Sequence, residues 1–140
     1  HGARYAGYTL RQVCQEMHDF YRQANVKELQ RLCFRAESFP ELAMSPKDAY
    51  EALVANNVDY VPIDGIKGRV SATLALIYPP GIGVVLPGER WDERAQPMID
   101  YFLAFQESFN RFPGFNYEVQ GVFQEREDGR IRFYTYAVRE

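Results

Sequence analysis

Residues 78–89 carry the most specific pattern in the chain and read Tyr78-Pro79-Pro80-Gly81-Ile82-Gly83-Val84-Val85-Leu86-Pro87-Gly88-Glu89. Two proline-glycine pairs bracket a short apolar run. Proline fixes φ at about −65° and glycine permits positive φ, so each pair predicts a sharp reversal of the chain. The run between them is too short for an ordinary helix and suits a buried strand. Two turns around a core strand are therefore a sufficient structural explanation of the pattern.

The residues before this stretch predict three helices. The first spans about 9–24, where Thr9 and Gln12 form a capping-box pattern. Helical spacing also predicts a second helix over 26–36, and Ser45 is a suitable N-cap for a third that ends near 56–57. The apolar face of the first helix comprises Leu10, Val13, Cys14, Met17, Phe20, Tyr21 and Ala24.

The second half of the chain predicts strands around one more helix. Pro62 favours an edge position for the first strand, whereas 69–78 reads as a long central strand with 82–86 paired nearby. Glu127-Asp128-Gly129 is a hairpin signal between the last two strands. The predicted strands are 58–63, 69–78, 117–125 and 130–138.

A helix predicted over 94–112 carries an aromatic stripe at helical spacing. Such a stripe could line a cofactor pocket, but core packing is the more ordinary explanation. The element order predicts the α+β class: one compact domain over 1–140 with N-terminal helices, a mixed or antiparallel sheet, a C-terminal hairpin and this long helix. Within it we expect a helical lead-in over 1–40 and an α+β core over 45–140. The stripe comprises Met98, Tyr101, Phe102, Phe105, Phe109 and Phe112.

Composition bounds the class of protein. The 140 residues are 46% hydrophobic and 15% aromatic, which is enough for one modest core. A formal net charge of −3 gives no reason to expect nucleic acid or an anionic membrane as partner. No apolar run approaches the ~20 residues that span a bilayer. The start at His1, without Met or an apolar leader, predicts an excised fragment with no signal peptide, and we expect a cytoplasmic protein.

The sequence contains no complete catalytic or metal-binding pattern. Cys14 and Cys33 lie at apolar helical positions, so we expect two reduced core thiols and neither a disulfide nor a metal site. His18 and Cys14 are four residues apart, but two ligands alone are a weak metal signal. The sequence contains no G-x-S-x-G elbow and no phosphate-binding loop. Taken alone, the residues predict no catalytic, cofactor-binding or metal site.

The pattern Y-P-P-G-[IV]-x-x-x-x-P-G-E in residues 78–89 resembles the C-terminal domain of the bacterial ornithine/lysine/arginine decarboxylases. The opening of the chain, with Pro113-Gly114-Phe115 and Gln120-Gly121-Val122, resembles the ornithine-type members most. One departure is Gly83, where many members have proline. The resemblance covers nearly the whole chain. It extends to His1-Gly2-Ala3-Arg4-Tyr5-Ala6-Gly7-Tyr8-Thr9, Cys14-Gln15-Glu16-Met17-His18-Asp19, Asn25-Val26-Lys27-Glu28-Leu29-Gln30, Phe34, Ser38-Phe39-Pro40, Gly68-Arg69, Trp91, Tyr101-Phe102-Leu103-Ala104, Pro113-Gly114-Phe115 and Val119-Gln120-Gly121-Val122.

The resemblance implies a pyridoxal-phosphate enzyme that converts a basic amino acid into a diamine and CO2. It also implies partners: the cofactor-binding domain of the same chain and a second subunit, in a homodimer or a ring of dimers. The family's cofactor lysine follows a histidine, and no His-Lys pair occurs here. Lys27, Lys47 and Lys67 all have surroundings typical of solvated lysines. We therefore expect a fragment that binds no cofactor and is inert alone.

The resemblance also directs attention to two loops. We expect Tyr78, Pro79, Pro80, Gly81, Glu89 and Arg90 to form interface loops near the active-site entrance, where Glu89 would favour a cationic substrate. A structural ion pair within the domain is the ordinary alternative for Glu89. For the whole chain, the alternative is a stand-alone protein-binding or regulatory α+β domain without catalysis. An independent small enzyme is disfavoured because the sequence contains no complete site.

Overall fold

The computed structural model describes residues 2–140, so His1 of the opening motif lies outside the described residues. A short 3-10 turn at Gly2–Tyr5 precedes the first helix, and others lie between the longer elements at Ala36–Ser38, Ile63–Gly65 and Glu93–Ala95. The expected α+β class is confirmed. The main elements are α1 (Leu10–Gln23), α2 (Val26–Cys33), α3 (Pro46–Val54), β1 (Val58–Pro62), β2 (Leu76–Tyr78), α4 (Gln96–Arg111), β3 (Glu118–Gln120), β4 (Phe123–Glu127) and β5 (Arg130–Val138).

The strands form two antiparallel sheets. The larger has the order β1-β5-β4, and the smaller pairs β2 with β3. β1 lies at an edge, as Pro62 predicted, because proline has no backbone N–H for a second neighbour. The C-terminal hairpin is also confirmed: Asp128 and Gly129 both have positive φ, which suits the tight turn between β4 and β5.

The α4 helix forms the centre of the core. Its aromatic stripe is buried, mostly in the main core cluster, whereas α3 packs in a second cluster with Ala49, Val58 and Val70. Ring centroids lie 5.7 Å apart between Phe112 and Phe20 of α1, and 5.2 Å apart between Phe109 and Phe133 of β5. Phe105 lies 5.2 Å from Tyr117, and Phe102 lies 6.1 Å from Trp91. The predicted helix and the packing role of its stripe are therefore confirmed.

The first two helices begin where the sequence indicated. Thr9 caps α1 in a complete capping box with Gln12. The chain then reverses through Asn25 in the left-handed conformation, and α2 packs against α4, with Cys33 in the main core cluster. Cys33 is a buried free thiol as expected, but the prediction of a core position for Cys14 is wrong because it is exposed. Leu10 on the same side of α1 is also 70% exposed.

Two amide side chains of α4 replace a missing strand beside β5. β5 extends beyond the end of β1, whose last pair is Pro62 with Tyr134. In the extension, Asn110 accepts a hydrogen bond from the Ile131 N–H at 2.7 Å and donates one to the Ile131 carbonyl at 2.8 Å. Gln106 accepts from the Phe133 N–H at 2.7 Å. The buried side of β5 is thus satisfied by a helix.

The prediction of a long central strand over 69–78 is wrong. The chain bends after Ser71, whose hydroxyl donates to the Thr73 carbonyl at 2.8 Å and so competes with ladder pairing. Thr73 turns inward, where its hydroxyl lies 2.9 Å from that of Thr135 and 3.0 Å from the Gly121 carbonyl. Only the last three residues pair as β2, and Leu74 is exposed where alternation predicted burial.

The prediction of one strand over 117–125 is also wrong, because this segment is divided into two strands at Gly121. The part before this residue joins β2, and the part after it joins β5. Gly121 has φ +70°, and a Cβ there would overlap the Leu74 carbonyl oxygen. Glycine is therefore required both for the turn and for the close backbone approach.

Within residues 2–140, no helix has the length and apolar character to cross a membrane.

Replacing Asn110 by alanine should remove about 2 kcal/mol from the free energy of unfolding, because two backbone groups of Ile131 lose their partners. Urea-induced unfolding followed by circular dichroism measures this change. Asn116→Ala is the matched control, since Asn116 is exposed. Equal stability of the two variants would contradict the strand-replacing role of Asn110.

Gly121→Ala should prevent the native fold, since the new methyl group would overlap backbone atoms that cannot move away. Gly129→Ala is the control because Gly129 also has positive φ but has nothing within 4 Å of the added Cβ. The control should lose only about 1–2 kcal/mol, the cost of left-handed backbone for an L-residue. A similar loss in both variants, by the same unfolding measurement, would rule out the close approach.

Candidate functional site

Residues 70–90 form an irregular hairpin that holds the two proline-glycine turns. Antiparallel bridges join Ala75 to Val85 near its tip and Val70 to Arg90 at its base. The sequence predicts a strand over 82–86, but in this segment only Val85 pairs, in the single bridge to Ala75. The residues before and after Val85 diverge from the opposite side of the hairpin. The candidate residues at 78–81 therefore lie at the tip, and Glu89 and Arg90 lie at the base. The structure does not bring the two groups together.

The tip is exposed and rich in proline. Tyr78 is 54% exposed, and the peptide bonds before Pro79 and Pro80 are both cis. Gly81 has φ +77°, and a Cβ on it would lie 2.7 Å from the Tyr78 ring. The glycine of the first turn thus allows the Tyr78 ring to lie over the turn. These four residues present apolar surface with few polar groups.

Gly83, the departure from the family pattern, lies under two leucines. A Cβ on Gly83 would come within 2.7 Å of Leu74 Cδ1 and 2.9 Å of Leu86 Cδ2. Without that atom, both leucine side chains close over the backbone. Leu74, Leu86 and the adjacent Ile82 are nevertheless exposed to solvent. The hairpin therefore carries an exposed apolar strip beside its tip.

The second turn is fixed to the segment that leads into α3. Gly88 has φ +88°, and a Cβ on it would overlap the Met44 carbonyl oxygen. The Gly88 carbonyl in turn accepts hydrogen bonds from the N–H groups of Ala43 at 2.9 Å and Met44 at 3.2 Å. The second proline-glycine pair therefore has a packing role within the domain.

Glu89 and Arg90 make their polar contacts inside the domain. The Glu89 carboxylate accepts a hydrogen bond from the Leu86 N–H at 2.7 Å and so closes the second turn. Burial raises the pKa of Glu89, the Asp92 carboxylate adds to the rise, and the Leu86 hydrogen bond opposes it. Arg90 donates to both carboxylate oxygens of Glu140, at 2.8 and 3.0 Å. This contact lowers the pKa of Glu140.

Glu89→Gln tests the role of the partly buried carboxylate. Because the pKa of Glu89 is higher in the fold than in the unfolded chain, the unfolded state ionises first as pH rises. The wild type thus loses stability above about pH 4, whereas glutamine does not titrate. Relative to wild type, the variant should gain stability from pH 4 to pH 7 in urea unfolding. The exposed Glu41→Gln is the control, and a pH-independent difference for Glu89→Gln would contradict the burial.

The lysines do not fit an internal site for pyridoxal phosphate. Lys27, Lys47 and Lys67 are all exposed, whereas a lysine that forms an imine is desolvated or flanked by positive charge. Lys47 Nζ lies 3.5 Å from a Glu51 carboxylate oxygen, and Lys67 Nζ lies 2.8 Å from Glu93.

Metal ligands and reactive thiols give no second candidate. Within residues 2–140, no three His, Cys, Asp or Glu side chains are grouped as a metal ion requires. His18 and Cys14 are both exposed. Burial raises the pKa of the Cys33 thiol to about 12, which keeps it protonated and unreactive near neutral pH.

Sequence reasoning missed a groove between the helices and the hairpin tip. This α1–α2 groove is lined by Tyr21, Val26, Pro79, Tyr101, Phe105 and Tyr117 around a cavity of about 490 Å³. A wider hollow of about 710 Å³ continues it past Phe34 to Ile82. The lining residues are distant in sequence, so helical periodicity could place them on faces but could not bring them together.

Comparisons with known proteins agree with this architecture. A family model for the C-terminal domain of Orn/Lys/Arg decarboxylase matches residues 27–139. An ornithine decarboxylase of Haemophilus influenzae is 49% identical over 98% of this chain and 19% of its own length. Lysine decarboxylase LdcA of Pseudomonas aeruginosa is 41% identical over 96% of this chain and 17% of its own length.

The structural comparison gives the same answer. The solved structure of lysine decarboxylase A from Pseudomonas aeruginosa superimposes with a TM-score of 0.87 and 32% identity, over 97% of this chain and 18% of that one. The chain thus spans about a fifth of the length of the relatives it matches.

Proposed function

This chain belongs to the Orn/Lys/Arg decarboxylase C-terminal domain family, and we propose that it is that domain of a pyridoxal-phosphate-dependent ornithine decarboxylase. The full enzyme would convert ornithine into a diamine and CO2. The observation that supports ornithine over lysine is the identity of 49% to an ornithine decarboxylase against 41% to a lysine decarboxylase, over nearly the same residues.

The proposed role of the domain is structural. Its three exposed lysines support the placement of the cofactor outside residues 1–140, so the domain would be inert alone. Its partners would be the cofactor-binding domain of the same polypeptide and a second subunit, in a homodimer or a ring of dimers, with neither nucleic acid nor membrane. The proposed location is the cytoplasm. The domain would organise as a helical lead-in over 1–40 and a core over 45–140.

The hairpin tip would shape the entrance to the active site. Tyr78, Pro79 and Pro80 present an exposed apolar surface beside Gly81 that can pack against a neighbouring domain. In this proposal Glu89 and Arg90 support the loop from the base, because their polar contacts lie within the domain.

Release of CO2 from ornithine, lysine and arginine tests the proposed activity. The full-length protein with added pyridoxal phosphate should release CO2 fastest from ornithine, and the 140-residue chain should release none. No release by the full-length protein from any of the three would favour the alternative, a protein-binding or regulatory domain. Release by the 140-residue chain alone would contradict the proposed placement of the cofactor.

Tyr78→Ala in the full-length enzyme tests the entrance role. Loss of the ring should raise KM or lower kcat for ornithine several-fold, because the loop would no longer pack in its place. Tyr50→Ala is the matched control, since Tyr50 is similarly exposed on α3. Equal KM and kcat for wild type and both variants would contradict the proposed role of the hairpin tip at the entrance.

A further inference from the structure

The α1–α2 groove is an open surface with an apolar floor. Its walls are the Tyr21 side of α1, the start of α2 and the hairpin tip, and the aromatic side of α4 forms its floor. Phe34 and Ile82 extend the apolar surface along the adjoining hollow, and both are exposed. An apolar cavity of about 490 Å³ in a folded domain is typical of a docking or ligand site.

One polar group in the floor has no partner. Tyr101 is only 3% exposed, and its hydroxyl makes no hydrogen bond with any group of residues 2–140. The neighbouring Tyr21 differs, because its hydroxyl lies 2.6 Å from that of Ser108. The one fully buried side-chain polar atom without a partner within residues 2–140 is Trp91 Nε1, so the Tyr101 hydroxyl is open to the groove. The Tyr101 hydroxyl is thus available to an acceptor on a segment that fills the groove.

The rim of the groove is basic although the domain is acidic overall, with a net charge of −3. Arg22 and Lys27 line both parts of the groove, and Arg31 lines the outer part. Glu28 is the acidic residue of this rim, and Arg31 already binds it, with contacts of 2.6 and 2.8 Å. The ion pairs formed within residues 2–140 leave Lys27 without a carboxylate partner.

We propose that the α1–α2 groove receives an acidic segment with an apolar side chain, supplied by the part of the decarboxylase polypeptide outside residues 1–140. The inference rests on the proposed function. The apolar side chain fills the cavity, while a carboxylate accepts from Tyr101 and pairs with Lys27. A second copy of the domain is disfavoured as the occupant, because a two-fold contact would oppose two basic rims.

Carbodiimide cross-linking of the full-length enzyme tests the inference, because this reagent joins an amine directly to a contacting carboxylate. Mass spectrometry should find Lys27 joined to an Asp or Glu outside residues 1–140. Lys47 is the internal control, and it should link within α3 to Glu51, which lies 3.5 Å away. Lys27 found unlinked, or linked to a carboxylate of another copy of this domain, would overturn the inference.

A Tyr101→Phe variant of the full-length enzyme supplies a second test, because the direction of the change in hydrogen exchange depends on whether the hydroxyl is paired. If the hydroxyl binds the docked segment, its loss should speed hydrogen exchange of the α2 amides about 2- to 10-fold. If the hydroxyl is unpaired in the enzyme, its removal should leave exchange unchanged or slower, which would overturn the inference. Tyr21→Phe should speed exchange in either case, because it breaks the Ser108 contact.

Release of CO2 separates the two proposals. Activity on ornithine without a cross-link from Lys27 would mean that the docking inference fails while the proposed function stands. A cross-link to a segment outside residues 1–140, in a protein without decarboxylase activity, would support the docking and contradict the proposed function.

Discussion

Burial of the aromatic face of α4 is the constraint on which the rest of the structure depends. Each turn of the helix contributes a ring to a different contact: Phe102 to Trp91, Phe105 to Tyr117 and Phe109 to Phe133. Full burial of one such side chain contributes about 1.5–3 kcal/mol. Phe112 adds a contact with Phe20 of α1. Because these contacts reach α1, the segments around Trp91 and Tyr117, and β5, none of these elements can shift without exposing part of the same helix.

The polar contacts of α4 complete this role. Gln106 and Asn110 pair with β5 where β1 ends, so the helix is at once the core of the domain and a substitute for an edge strand. The side of α4 that carries Tyr101 is packed differently. It lies under the α1–α2 groove, where neither α1 nor the hairpin covers it completely. One side of α4 is thus fully packed and the other lies under an open groove, as expected for a domain that belongs to a longer polypeptide.

Local signals predicted the elements that depend on local physics. The capping box at Thr9, the edge position of Pro62, the aromatic stripe and the turn at Asp128 and Gly129 all follow from residue chemistry over a few positions. The failures have tertiary causes. Residues 69–78 alternate like a strand, yet the hydroxyls of Ser71 and Thr73 find better partners elsewhere. The sequence also placed the hairpin loops correctly as turns, but their separation and the groove arise only from packing.

The rates of amide hydrogen exchange in the 140-residue chain, measured by NMR, test the central role of α4 most directly. The slowest amides should lie in α4 and β5. They should include the N–H groups of Ile131 and Phe133, which bond to side chains of α4. Amides of α1 should exchange faster, since one side of that helix is open. Exchange at Ile131 and Phe133 as fast as in the hairpin turn, or slowest exchange in α1, would contradict the central role of α4.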